Sequence, residues 1–352
     1  MTGPLSANPN PTSIDAGPLG KVYVTGAVSG LAVWQDHAMP GDRESFGDLS
    51  NGQVFIQKTD GPLQFFIQAG AYSVPSLGAG YLKSTDATKA TFGAIPQAFI
   101  KFAPNANFNI MVGKLPTLIG AEYTFTFENM NINRGLLWNQ ENAVNRGVQA
   151  NFTNGPLSVS VSLNDGFYSN KYNWASGLVS YAVTSHDTLT VVAAGNLGHT
   201  KKSTFATPLL QNNSQIYNLI LAHNSGPWTI TPYLQYTYVP KSAQLGITKG
   251  ASTMSGALLT KYAFSPEFSL AGRAEYIDSS GSVANGAPSL LYGPGSNAWS
   301  LTLTPTYQKG IFFVRGDLAY VKASNTTPGF ALGPNFNNTN QTRAMIETGF
   351  LF

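Results

Sequence analysis

Alternation is the feature that limits this chain most. In the stretch TNGPLSVSVSLNDGF (153–167), Leu157, Val159, Val161 and Leu163 alternate with Ser158, Ser160, Ser162 and Asn164. That is the period-two pattern of a strand with one apolar and one polar face. It recurs in DGPLQFFIQAG, GPWTITPYLQYTY, FSLAGRAEY, SLTLTPTYQ and FFVRGDLAY. The polar face carries full charges in mid-strand, as at Arg273, Glu275, Arg315 and Asp317. No long stretch has helical periodicity. Pro232 and Pro305 fall inside otherwise clean strands, so a bulge or a nearby strand end is expected at each.

The connections show a second regularity. Tight turns fall at 59–63, 103–107, 153–157, 184–188, 224–228, 264–268 and 307–311, with the Gly, Pro, Asn and Asp residues that chain reversal requires. Long polar segments lie between them, at about 36–50, 79–93, 118–145, 165–175, 197–213, 241–250, 280–296 and 324–341. Short and long connections alternate throughout. About sixteen antiparallel strands result, with both ends on one side, the plan of a closed transmembrane barrel with short periplasmic turns and long extracellular loops.

Composition supports an apolar outer surface. Only 11% of the 352 residues are charged, whereas aromatics reach 12% and glycines number 36. The charged share is less than half that of an ordinary soluble domain. A soluble β-sandwich or solenoid would show Lys- and Glu-rich outer faces and protected edges, which this chain lacks. No run of eighteen apolar residues exists, so a membrane reading requires a barrel rather than helices. A ten-residue strand tilted about 45° rises roughly 23 Å, close to the apolar band of such barrels. Phe108, Trp228, Tyr262, Phe268, Tyr276, Tyr307, Phe312 and Tyr320 sit near strand ends, at girdle positions.

Cysteine is absent, which excludes disulfides and thiolate chemistry, and the net charge of +3 is too small to suggest nucleic acid. Residues 1–20 have no basic start followed by an apolar run, so they read as a flexible tail of a mature chain rather than a signal peptide. Residues 21–352 read as the barrel. Its last strand, TRAMIETGFLF, alternates and ends in Phe352, which resembles the assembly signal of outer-membrane barrels.

A local match lies in the middle of the chain. Gly113-Lys114, Pro116, Gly120, Glu122, the Asn129/Asn131/Asn133 spacing, Arg134-Gly135-Leu136-Leu137, Gly147 and Asn164-Asp165-Gly166 together resemble the second type of β-barrel porins, the OmpL-like porins. Asn133, Asn145 and Arg146 depart from the family pattern, so no role of the usual residues there transfers. The resemblance implies a diffusion channel of the bacterial outer membrane. Its partners would be outer-membrane lipid, lipopolysaccharide and small hydrophilic solutes. No cofactor is implied. A homo-trimer is expected by analogy with general porins of this size.

In a sixteen-stranded barrel, selectivity depends on what narrows the lumen and which charges line it. The longest loop, 118–145, has Tyr123, Phe125, Phe127, Leu136, Leu137 and Trp138, which a solvated loop does not need. It is expected to fold into the lumen and present Glu122, Glu128 and Glu141. By parity Lys101, Arg273, Arg315 and Arg343 face inward from the wall, with Glu275, Asp317 and Glu347 beside them. Two readings stand: a constriction with acidic loop and basic wall, or structural salt-bridge networks between strands. Lys114 falls on the apolar parity, where a lysine snorkels or marks a bulge.

Rival functions are a substrate-specific channel, for sugars or organic acids, and a barrel enzyme or adhesin. Inward Phe66, Phe99, Tyr233 and Phe313 suit a sugar path, or simple packing against the inserted loop. Ser185-His186-Asp187 lies in a turn, and adjacent residues rarely form a triad in space. The Asn-rich loops lack the clustered carboxylates that calcium requires.

Overall fold

The computed structural model describes residues 5–352. Sixteen antiparallel strands close into a barrel: β2 (Lys21–Gln35), β3 (Ser45–Lys58), β4 (Leu63–Tyr72), β5 (Gln97–Phe102), β6 (Phe108–Pro116), β7 (Val144–Asn154), β8 (Leu157–Asn164), β9 (Trp174–Ala182), β10 (Asp187–Asn196), β11 (Gln215–Ser225), β12 (Trp228–Val239), β13 (Ala251–Ala263), β14 (Phe268–Ser279), β15 (Asn297–Lys309), β16 (Phe312–Ser324) and β17 (Asn340–Leu351). Each pairs with its neighbour in sequence, and β17 returns to β2 from Arg343↔Gln35 to Leu351↔Ala27. Closure removes the open edges that hydrocarbon would not tolerate.

A seventeenth strand, β1 (Thr12–Asp15), lies in the segment expected to be a tail. It pairs with β2 from Thr12↔Val24 to Asp15↔Lys21, on the edge that β17 leaves free beyond Ala27. The only α-helix among the described residues, α1 (Ser84–Ala90), lies in the long β4–β5 connection.

The alternating strand now has its faces assigned. Val161 and Leu163 are 55% and 51% exposed on the outside, whereas Ser162 and Asn164 are 7% and 0% exposed on the inside. Apolar side chains line the outer surface all round, with Ile100, Leu318 and Ile346 among the most exposed. Aromatic pairs mark the short-turn end: Trp228 meets Tyr262 at 4.6 Å between ring centres, and Phe312 meets Phe350 at 5.6 Å. Gly155 and Gly226 supply the left-handed backbone of two tight turns, at φ +55° and +54°.

The two prolines are accommodated without the expected bulge or strand end. Pairing of β11 with β12 lapses between Ile220↔Tyr233 and His223↔Ile230 yet keeps its register, while Pro232↔Leu258 remains paired on the other side. Pairing of β15 with β16 lapses likewise between Leu303↔Leu318 and Thr306↔Arg315. In an antiparallel ladder each residue bonds toward one neighbour, so a proline disturbs one edge only. Gly316 lies beside the Pro305 ring and leaves room for it.

Candidate functional site

The connection between β6 and β7 enters the barrel. Its apolar side chains Ile119, Phe125, Phe127, Ile132, Leu136 and Leu137 are at most 5% exposed. Two 3-10 turns, Thr126–Glu128 and Trp138–Gln140, shape it. The excess of apolar residues over a solvated loop is thus spent on packing against the inner wall.

Wall and loop are joined by charge. Arg273 Nη1 donates to Glu122 Oε1 at 2.7 Å and to the Asn133 carbonyl at 2.7 Å, and its Nε donates to Glu275 Oε2 at 3.1 Å. Glu122 Oε2 accepts from the Gly135 amide at 2.9 Å. Glu275 also accepts from Ser300 Oγ at 2.6 Å and from the Leu137 amide at 3.3 Å. Asp317 accepts from the Ile132 amide at 2.8 Å and from Asn133 Nδ2 at 2.9 Å. Arg315 Nη1 donates to the Thr126 carbonyl at 2.9 Å and lies 3.8 Å from Glu347. Glu347 Oε1 accepts from Thr126 Oγ1 at 2.6 Å. Arg343 donates to Asn133 Oδ1 at 3.0 Å and to the carbonyls of Ser76 and Ala79, so it also holds the β4–β5 connection.

These contacts place nine of the ten expected residues. Arg273, Glu275, Arg315, Asp317, Arg343 and Glu347 lie on the inner wall and are at most 5% exposed. Their partners are mainly loop groups rather than open water. Glu122 and Glu141 are likewise buried, the latter accepting from the Tyr233 hydroxyl. Burial raises the Glu141 carboxyl to about 8. Glu128 is half-buried: Oε2 accepts from the Phe125 amide at 3.2 Å. Its other oxygen makes no hydrogen bond among the described residues.

Lys101, the tenth, stands apart. It is half-buried on β5, opposite Gln64 and Met111, and makes no ion pair among the described residues. Lys114, on the outer parity, bends to the Ile95 carbonyl at 2.7 Å.

Arg134 was not among the expected site residues. It is fully buried, and its guanidinium donates to the carbonyls of Tyr123, Thr124, Ile132 and Pro75. It therefore ties the inserted loop to itself and to the β4–β5 connection. Burial lowers it to about 10, so it stays charged at neutral pH. Gly120 and Gly135 explain two further motif positions. A Cβ at Gly120 would fall on the Glu141 carboxylate, and one at Gly135 on that of Glu275. The sequence signal was the motif itself, Gly120 and Arg134-Gly135; Gly135 crowds Glu275 on a distant strand, whereas Arg134 meets carbonyls of its own loop and of Pro75, and Gly120 meets Glu141.

The loop is packed to one side. Inward residues of β12 to β17 and β2 are almost all buried, including Gln235, Thr253, Ser300, Thr302 and Thr304. Inward residues of β4 to β10 remain half-exposed in the short-turn half: Gln64, Phe66, Phe99, Asn109, Ser160 and Thr190. The open part of the lumen therefore runs along β4–β10. On the long-loop side a cavity of about 670 Å³ lies between Phe92, Trp138, Phe167, Phe205, Leu210 and Tyr292.

The histidines are scattered. His223 pairs with Asp187 at 2.7 Å at the short-turn end, His186 meets the Asn224 carbonyl at 3.0 Å, and His37 meets the Asn340 carbonyl at 2.8 Å.

Comparison with known proteins agrees with this architecture. The profile of the family described as beta-barrel porin-2, OmpL-like, matches residues 21–352. No curated protein matches the chain. Among solved structures, the trimer form of in-vitro folded OmpT, an outer membrane protein of Vibrio cholerae, is 9% identical, with 94% of this chain and 99% of that chain covered at a TM-score of 0.61. The anion-selective porin from Comamonas acidovorans is 13% identical, with coverages of 94% and 99% and a TM-score of 0.60. The outer membrane channel DcaP of Acinetobacter baumannii is 9% identical, with coverages of 94% and 97% and a TM-score of 0.60. At such identities the likeness is one of fold.

Proposed function

The chain belongs to the OmpL-like beta-barrel porin-2 family and is a channel of the bacterial outer membrane, and we propose that it passes small hydrophilic solutes passively, without covalent chemistry or cofactor. The observation that carries this reading is the asymmetric lumen. The inserted loop is fixed to β12–β17 by the buried Arg273–Glu122 ion pair and by hydrogen bonds to the other wall charges, while polar side chains along β4–β10 stay accessible. A fixed loop that narrows a wet lumen without filling it sets a size limit rather than a gate. The buried charges act in this reading as anchors for the loop. Glu128 and Lys101 are charged groups on the side of the passage, and Lys261 stands half-exposed on the inner face of β13. The cavity between the long loops serves as the outer vestibule.

Homo-trimerisation is part of the proposal. The outer surface supports it: Tyr236 and Tyr217 stand side by side on β12 and β11, but the same level continues as Ala193 and Gly177 on β10 and β9. A band of small residues where aromatics are missing suits protein contact better than a lipid interface. OmpT of Vibrio cholerae is described in a trimer form.

Conductance of the purified protein in a planar bilayer tests the reading. Steady open steps, in threes for a trimer, are expected under an applied voltage. A folded barrel that never conducts would refute the diffusion channel.

A further inference from the structure

One feature of the lumen wall is not needed to hold the loop. Rings continue from the loop tip across the wall: Phe125 and Phe127 are 6.2 Å apart, Phe127 and Phe55 5.6 Å, Phe55 and Phe66 6.1 Å, and Phe66 and Phe99 5.5 Å. The last two pairs are stacked, with planes 16° and 27° apart, so they form one nearly continuous aromatic surface over β3, β4 and β5. The buried cluster at the loop tip takes in Phe55 but neither Phe66 nor Phe99. Both of these are half-exposed on the inner wall. Apolar rings that face a water-filled lumen and support nothing invite an occupant.

Amides flank the rings in register. Gln68 and Gln97 are paired across strands two residues beyond Phe66↔Phe99 on one side, and Gln64 and Lys101 two residues beyond on the other. Gln68 donates to Gln53, and Gln53 donates to Asn51 at 2.8 Å, which orients the upper row. Primary amides both donate and accept, as a sugar hydroxyl does. The wall carboxylates Asp317 and Glu347 and the loop's Glu122 are engaged in holding the loop, which leaves Glu128 as the carboxylate on the passage side.

We propose that Phe66 and Phe99, with Gln64, Gln68 and Gln97, form a binding track for uncharged polyhydroxylated solutes, sugars above all. The C–H face of a sugar ring lies on the aromatic surface while its rim hydroxyls exchange hydrogen bonds with the amides. Gln64 and Gln68 each keep one amide hydrogen bond within the protein, to the Gly61 carbonyl and to Gln53, so an apolar solute of the same shape gains none of the further hydrogen bonds that a sugar makes, and an anionic one finds only Lys101. The proposal rests on the diffusion-channel reading and deepens it.

The test is current blockage of the open channel in a planar bilayer by maltohexaose, a neutral linear glucan, against an acidic oligogalacturonate of equal length. Concentration-dependent interruptions are expected with the neutral chain at lower concentrations than with the acidic one. Phe66→Leu and Phe99→Leu keep the bulk but lose the ring face, and each should weaken the block about threefold to tenfold with open conductance retained. Phe66→Tyr should restore it. Conductance without any neutral-sugar block, or block unchanged in both leucine variants, overturns the track and leaves the channel standing. Absence of conductance in the unaltered protein overturns the channel reading and the track with it.

Discussion

Arg273 on the wall and Glu122 in the loop meet at 2.7 Å in a lumen region where both are almost wholly buried. Glu122 spends its other oxygen on the Gly135 amide, so the one carboxylate ties the loop to the wall and to itself. Neutralising Glu122 leaves Arg273 with Glu275 as its one carboxylate partner, so the cost stays below the about 3–5 kcal/mol of orphaning a buried charge altogether. Glu122→Gln is therefore expected to unseat the loop rather than unfold the barrel, whose ladder is untouched. Single-channel records should show larger and noisier openings, with strand content by circular dichroism unchanged. Quiet openings of normal size would mean that the pair is dispensable.

Gly135 makes a sharper test of the same joint. A Cβ there would collide with the Glu275 carboxylate, itself bonded to Arg273 and Ser300. Overpacking of this kind costs about 1–3 kcal/mol. Gly135→Ala should lower the thermal midpoint and alter conductance. A variant with the midpoint and conductance of the unaltered protein would mean that the carboxylate shifts aside without loss.

Glu141 gives a pH dependence. Burial, the largest influence, raises its carboxyl to about 8 from an ordinary 4.5, against the lowering effect of the Tyr233 hydroxyl. A carboxyl raised in the folded protein binds its proton more tightly there than in the unfolded chain. Its seat is thus most stable below about 4.5, weakens as the pH rises toward about 8, and loses this contribution above that. Current noise from the loop should grow between about pH 5 and pH 9, and Glu141→Gln should flatten the trend. A wild-type trend that persists in the variant would assign it to another group.

How far these residues could be read from the sequence depended on what fixes each one. Strand positions follow from a period of two, which sets which face a residue takes but not what meets it. Arg273, Arg315, Arg343, Glu275, Asp317 and Glu347 were therefore placed on the inner wall by parity alone. Their partners belong to a loop 130 or more residues distant, whose path no local pattern encodes. Entry of that loop was legible because Phe125, Phe127, Leu136 and Leu137 need burial. Arg134 escaped notice because its partners are backbone carbonyls, which leave no trace in side-chain composition. Thr12–Asp15 escaped because a four-residue strand is too short for its alternation to stand out.

Ion selectivity follows from charges on the lumen side that make no ion pair among the described residues. Glu128 is half-buried at the loop tip, Lys101 is half-exposed on the wall beside the aromatic row, and Lys261 is half-exposed on the inner face of β13. Burial raises the Glu128 carboxyl to about 7, so above that pH its negative charge stands against the lysines and the unaltered channel should show weak selectivity. Glu128→Gln should move the reversal potential in a salt gradient toward anions, and Lys101→Gln should move it toward cations. The double variant should return close to the unaltered value, because the two groups act on the same ions. Shifts of the same sign in both single variants would place at least one of these charges outside the conducting path.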